Sequence, residues 1–227
     1  MRMFYTLDPA CGTKETGNNF PQIQDMLPKY DWKGANSINK LSRCRFAFPD
    51  FEPNLDGLVI KSKTKITDLL ITAMLTKGMM ISPKFKSLLE GFNLGNVKFY
   101  PSRIYYKGTF LVEYFCMHIL PVGIDVVDIA GSTFLVKKMY RTILYDIEIE
   151  TKEDYLKKTA VLKEEDPKAF LSIWSKKIKL NELFDDSLSL FEIGTFDSDY
   201  YISESLASSI LSSGMTGCDI KQSIKFI

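Results

Sequence analysis

Two stretches of the chain carry the same alternation of apolar and polar positions. Met79–Phe99 and Tyr200–Ile220 align without a gap, 121 positions apart. Each opens with two apolar residues and Ile-Ser, passes into a helical pattern, and ends in a glycine-containing turn and a short apolar segment. In the first, Phe85, Leu88, Leu89 and Phe92 fall on one helical stripe. Ser82-Pro83 reads as an N-cap followed by proline at the first helical position, where a missing N–H costs nothing. In the second, Ser203 is the cap, Glu204 adds negative charge to the first turn, and Leu206, Ala207 and Ile210 form the stripe. Gly91 and Gly95, and Gly214 and Gly217, end the helices. The pattern predicts one strand–Ser–helix–turn–strand unit used twice.

Around these units the pattern is mostly extended. Residues 2–7 read as a strand stopped by Asp8-Pro9. Residues 8–56 hold Pro9, Pro21, Pro28, Pro49 and Pro53, so regular elements there are short. Trp32, Phe46, Phe48 and Phe51 make that segment an ordered wrapping over the core. Leu58–Ile60 predicts a strand. Positions 66, 69, 70, 73 and 74 predict a helix from Ile66 to Leu75, capped by Thr67 or Asp68. Residues 97–119 predict a hairpin turning at Lys107-Gly108. Its register sets Tyr105 opposite Phe110, Ile104 opposite Leu111 and Phe99 opposite Cys116. Its second strand is apolar on both faces, with Phe110, Val112, Tyr114 and Cys116 on one and Leu111, Phe115, Met117 and Ile119 on the other. Such a strand is central and covered on both sides; Pro101 suits an edge.

Strands are predicted at 133–139, 142–150 and Leu188–Phe196. A helix should open at Thr151, with Asp154 at the capping-box position, and another at Asp166-Pro167. Residues 169–180 fit helix or strand. The whole predicts an α+β fold, a mostly antiparallel central sheet with short flanking helices. It forms a single domain over 1–227: an irregular N-terminal wrapping segment, 1–60, and an α+β core, 61–227.

Composition narrows the function class. The chain has 227 residues, 45% apolar and 25% charged, an ordinary soluble balance. Lys plus Arg is 29 against 28 for Asp plus Glu, a net charge of +1, which argues against a dedicated nucleic-acid binder. The N-terminal run is too short for a signal peptide and no run is long enough to span a membrane. None of Cys11, Cys44, Cys116 and Cys218 forms a C-x-x-C pair. The expectation is a cytoplasmic protein with reduced thiols, no membrane partner and no nucleic-acid partner.

Candidate chemistry is sparse. His118 is the only histidine, and Cys116 shares its strand face. Together they offer two metal ligands or a nucleophile and base. No cluster supplies further ligands, and the apolar strand favours a packing role. Asp125 and Asp128, with Ser132, offer paired carboxylates, but aspartates before Gly-Ser usually bond their own backbone in turns. Asp185-Asp186 and Asp197-Ser198-Asp199 read the same way and lack a calcium-loop pattern. Lys61, Lys63 and Lys65 alternate along one side of an extended segment and read as a solvated face. Lys157-Lys158 and Lys176-Lys177-Lys179 are balanced by Glu153, Glu164 and Glu165. Tyr100, Tyr105, Tyr106, Tyr200 and Tyr201 fit core packing. No Walker A, dinucleotide or nucleophile-elbow motif occurs.

The second unit resembles the C-terminal signature of a bacterial immunity-protein family encoded beside polymorphic toxins. The residues are Tyr201-Ile202-Ser203-Glu204, the helix Leu206–Leu211, and Met215-Thr216-Gly217. Ile81-Ser82, Phe99-Tyr100-Pro101, Tyr114, His118, Ile124-Asp125, Ser132 and Ile178–Phe191 are similar to that family too. The likeness covers about residues 66–132 and 178–220. It implies a cytoplasmic, non-enzymatic protein without metal or cofactor, which binds and neutralises a cognate toxin through contacts outside the motif. The alternative is a small enzyme or ligand-binding protein using Cys116, His118 and Asp125.

Overall fold

The computed structural model describes residues 2–75, 79–111 and 113–227. The chain begins with β1 (Phe4–Pro9), α1 (Thr13–Thr16), β2 (Ile23–Met26), α2 (Ile38–Leu41) and β3 (Leu58–Ile60). The first repeat follows as β4 (Leu69–Ile71), β5 (Met79–Ile81), α3 (Pro83–Leu89) and β6 (Val97–Ser102). Then come β7 (Tyr105–Tyr106), β8 (Thr109–Phe110) and β9 (Tyr114–Ile119). After a 3-10 turn at Ile124–Val126 come β10 (Thr133–Lys138), β11 (Thr142–Ile147), α4 (Lys152–Glu165) and β12 (Leu171–Lys177). The second repeat closes the chain with β13 (Leu190–Glu192), β14 (Tyr200–Ser203), α5 (Glu204–Ser212) and β15 (Cys218–Gln222). The fold is α+β and mostly antiparallel, its strands spread over four small sheets: β13-β14-β1-β15, β11-β10-β12, β2-β3-β7-β8 and β4-β5-β9-β6.

The repeat reaches further than its sequence pattern. Both cap serines hold the same extended backbone, φ −67° and ψ 160° at Ser82, φ −67° and ψ 157° at Ser203. Their hydroxyls accept the N–H of Phe85 at 3.1 Å and of Leu206 at 3.3 Å. The preceding hairpins also coincide. Leu69 faces Ile81 in β4–β5, and Leu190 faces Ile202 in β13–β14, residues again 121 apart. Each sheet then takes the same third strand. β9 lies between β5 and β6, and β1 lies between β14 and β15. In the first unit that strand follows in sequence; in the second it comes from the N-terminus. The molecule is a structural duplication whose second copy is completed by the first strand of the chain.

The two copies meet on one core. Phe85 and Leu89 of α3 and Leu206, Ala207 and Ile210 of α5 are buried there with Leu7, Met117 and Ile202. Asp68 ties them together: its carboxylate accepts the Ser82 hydroxyl at 2.8 Å and the Thr216 N–H and hydroxyl at 3.0 Å each. Burial works against the Asp68 charge, but these donors outweigh it and hold its pKa below the usual carboxylate range. Gly217, at φ +83°, closes the turn so tightly that a Cβ would lie 2.2 Å from the Leu69 carbonyl oxygen. Ser203→Ala is expected to cost about 1 kcal/mol as a lost cap. Ser82→Ala should cost more, nearer 2 kcal/mol, because the Asp68 bond goes with it. Urea melts of the two variants check the order.

Several sequence expectations need correction. Residues 66–75 hold strand β4 and a turn, with no helix, because Leu69 and Leu70 are both wholly buried on opposite faces and Asp68 is pinned outside. Asp166-Pro167 ends α4; the Asp166 carboxylate accepts the N–H groups of Lys168 and Ala169 at 3.1 and 3.0 Å. In the hairpin, Tyr105 does face Phe110, but Phe99 faces Met117 and Tyr100 faces Cys116. The register slips by one between the two pairings, which exchanges faces. Phe110 stays exposed, and Val112 lies outside the described residues. β9 is nonetheless central, with Tyr114 and Cys116 in one core and Met117 and Ile119 in another. Pro101 lies on the edge strand β6.

Strand β1 runs on through Asp8 and Pro9, β13 is shorter than expected, and residues 169–180 hold strand β12. Lys61–Lys65 is a turn closed by Thr64 N–H to the Lys61 carbonyl at 3.0 Å. The N-terminal segment does more than wrap: Ile23, Met26, Ile38, Leu41 and Leu55 are the core under β3 and β9.

Candidate functional site

Strand β9 brings two of the three candidate chemical residues together. Cys116 and His118 point to the same side, under the chain from Leu41 to Arg45, with Tyr200 beside them. The space they enclose is about 40 Å3, enough for a water or two and far below an ordinary ligand cleft. Cys116 is 1% exposed, and burial pushes its thiol up to about 12. A catalytic thiol needs the opposite shift. Burial likewise lowers the His118 pKa, outweighing its hydrogen bond to the Cys44 backbone, and Lys98 lowers it further. The ring packs edge-on against Phe48 at 5.3 Å, and its Nδ1 is buried without a hydrogen-bond partner. Arg45 reaches the Gly194 carbonyl at 2.9 Å and Glu192 at 3.7 Å. A protonated, buried thiol beside an imidazole whose charged form burial disfavours, and which is held by the Cys44 backbone, is a packing arrangement. The native protein should therefore show a fast-reacting thiol at exposed Cys11, whereas Cys116 should label only on unfolding. A disulfide-exchange assay followed by peptide mapping checks this.

Asp125 is not part of that pocket. It lies in the 3-10 turn after β9 and pairs with Lys152 at the surface. Asp128 accepts Gly131 N–H at 3.0 Å and pairs with Lys179 at 2.8 Å, while Ser132 donates to the Asp128 carbonyl. These are turn and surface roles, as expected. Asp185 behaves the same way with Ser187. Asp197 differs: it is a buried carboxylate under Lys225, which its turn-like sequence did not reveal. No cluster of metal-ligating side chains occurs among the described residues, and no helix there is long and apolar enough to cross a membrane.

The unusual feature is a surface. Strand β11 forms an outer edge of the sheet β11-β10-β12. Three consecutive residues on it, Ile143, Leu144 and Tyr145, are 60, 44 and 48% exposed. The register shift between Val136 and Lys137 leaves Leu144 without an opposing residue on β10. That bulge twists the edge and makes it a poor template for another strand, so the apolar side chains are offered for packing. Beside them, Lys137 sits over the Trp174 ring at 4.4 Å, and Tyr140 and Trp174 wall a cleft of about 550 Å3. Sequence reasoning placed a strand at 142–150, which the structure ends at Ile147, and did not address the exposure of its residues.

Compared with protein families and with curated protein sequences, the chain matches none.

Proposed function

We propose that the protein is an immunity protein, which neutralises a cognate bacterial toxin in the cytoplasm by binding it. The toxin seats on the β11 edge. The observation that supports this reading is the run Ile143-Leu144-Tyr145, three large side chains left in water on an edge strand that no described strand other than β10 pairs. Isolated exposed apolar residues are ordinary, but contiguous ones mark partner sites. The neighbouring Tyr140–Trp174 cleft adds aromatic anchors of the kind that dominate binding energy. A standard interface of roughly 1,600 Å2 in total would cover both. The resemblance carried by Ser203-Glu204 and Met215-Thr216-Gly217 points to the same activity and leaves those residues architectural.

The test is protection of cells that express the toxin of the neighbouring reading frame. Ile143→Asp with Leu144→Asp should abolish protection while changing stability by less than about 0.5 kcal/mol, as exposed sites allow. Cys116→Ser with His118→Gln should leave protection intact. Protection that survives the first pair and fails with the second, in folded protein, would turn the reading over to the pocket.

A further inference from the structure

We infer that the protein has a second contact surface, a basic and apolar foot that docks on an anionic lipid bilayer. It is built from two turns bonded to each other. In the first, Arg141 N–H closes on the Lys138 carbonyl at 3.1 Å, and in the second Phe170 leads into β12. Met139 N–H joins them, pointing to the carbonyls of Ala169 and Phe170 at 3.2 Å each. The three apolar tips, Met139, Tyr140 and Phe170, are 58, 62 and 57% exposed. All three hold positive φ, +50°, +61° and +47°. Bulky residues rarely adopt that conformation, and the two-residue turn it makes normally takes Asn-Gly. The fold therefore keeps strained, water-exposed side chains where small ones would fit better. Strain of this kind belongs to functional sites.

Charge selects the partner. Residues 137–141 and 167–171 contain Lys137, Lys138, Arg141 and Lys168 and no carboxylate. Lys138, Arg141 and Lys168 form no ion pair among the described residues, and Lys137 rests on Trp174. Asp166, the nearest acid in sequence, is turned back on its own backbone. Four cations around three apolar tips match an anionic interface, where lysine stems lie along the hydrocarbon boundary and keep their charge in the headgroups. Lysine is depleted in protein interfaces. A second copy would bring like charges together. Nucleic acid asks for cations along a track, whereas these cluster round one point in a chain of net charge +1. The foot shares Tyr140 with the rim of the cleft given to the toxin but none of Ile143–Tyr145, so Ile143→Asp with Leu144→Asp should leave vesicle binding intact, which separates the two readings.

The experiment is co-sedimentation of the full chain with vesicles of phosphatidylcholine alone, and with about 30% phosphatidylglycerol added. Binding to the anionic vesicles should be about tenfold stronger and should fall sharply between about 0.05 and 0.5 M salt. Met139→Asn with Tyr140→Gly suits the turn better, so it should melt no lower than the parent while losing about tenfold in binding. Lys138→Glu with Arg141→Glu should abolish binding. Equal weak binding to both vesicles, unchanged binding by the Asn-Gly variant, or retention only by an oligonucleotide would overturn the proposal.

Discussion

Replacing Lys225 by Met is expected to remove about 3 kcal/mol of stability, among the largest losses any single side chain should produce. Its Nζ lies 2.6 Å from Asp197 Oδ2 and 2.8 Å from Asp199 Oδ2. The Asp197 side chain is wholly buried. The Ser175 hydroxyl, at 2.6 Å, and the Asp199 N–H, at 2.9 Å, remain as donors in the variant. They soften the loss but leave a buried negative charge without its cation. Adding Asp197→Asn to the variant should recover a large part, because the charge that lost its partner is then gone. Equal stability of the single and double variants in urea melts would refute this account.

The same lysine gives a pH dependence. Burial works against its charge, but Asp197 and Asp199 outweigh that and raise its pKa above the ordinary lysine value. A raised pKa means the folded state holds the proton more tightly than the unfolded one. The contribution is complete below the unfolded value, near 10.5, and is lost as pH rises through the folded one. Parent stability should decline at that alkaline end more steeply than that of Lys225→Met. The anchor also fixes the tail: Ile178 N–H donates to the Lys225 carbonyl at 2.7 Å, and Phe226 packs on Phe4 and Tyr201.

The second large effect concerns β1. Deleting residues 2–9 should prevent folding, since it strips the strand between β14 and β15 and with it buried Phe4 and Leu7. Moving the same strand to the other end should not. The Phe4 and Phe226 rings are 4.7 Å apart and Ser223 N–H donates to the Phe4 carbonyl at 2.8 Å, so a few residues can join Ile227 to Arg2. New ends at Cys11 and Gly12 fall in exposed chain, where such cuts are tolerated. The permuted protein then runs β13, β14, α5, β15, β1, the order already used by β4, β5, α3, β6, β9. It should retain stability to within about 2 kcal/mol of the parent. A permutant as unfolded as the deletion by circular dichroism would show that the likeness of the sheets does not extend to interchangeable order.

What could be read from the sequence was local. Ser82 and Ser203 cap helices because a hydroxyl three residues before an N–H acts at short range, and both sites came out as expected. The Lys107-Gly108 turn was legible for the same reason, but the pairing beyond it was not, since a one-residue slip is invisible in apolar residues that suit either face. Leu69-Leu70-Ile71 fits a helix or a strand equally until its neighbours are known. Exposure was the hardest property to foresee. Ile143, Leu144 and Tyr145 have core chemistry, and only the sheet order shows that β11 is an edge among the described strands. Asp197 has turn chemistry, and only the returning tail reveals that it is buried. The candidate pocket was half legible: Cys116 and His118 share a face by strand periodicity, while Asp125 is taken away by the turn after Gly123.

The position of β1 also bears on how the chain is made. Phe4 pairs with Ser203 and Tyr5 with Gln222, so β1 leaves the ribosome long before the strands it lies between. The sheet holding β4, β5, β6 and β9 can assemble while translation continues. The other must wait, and until then β1 is an unpaired apolar strand exposed to the cell. Nascent chains should stay sensitive to protease near residues 4–9 until β14 and β15 have emerged, and a holdase that covers this segment would act in that interval.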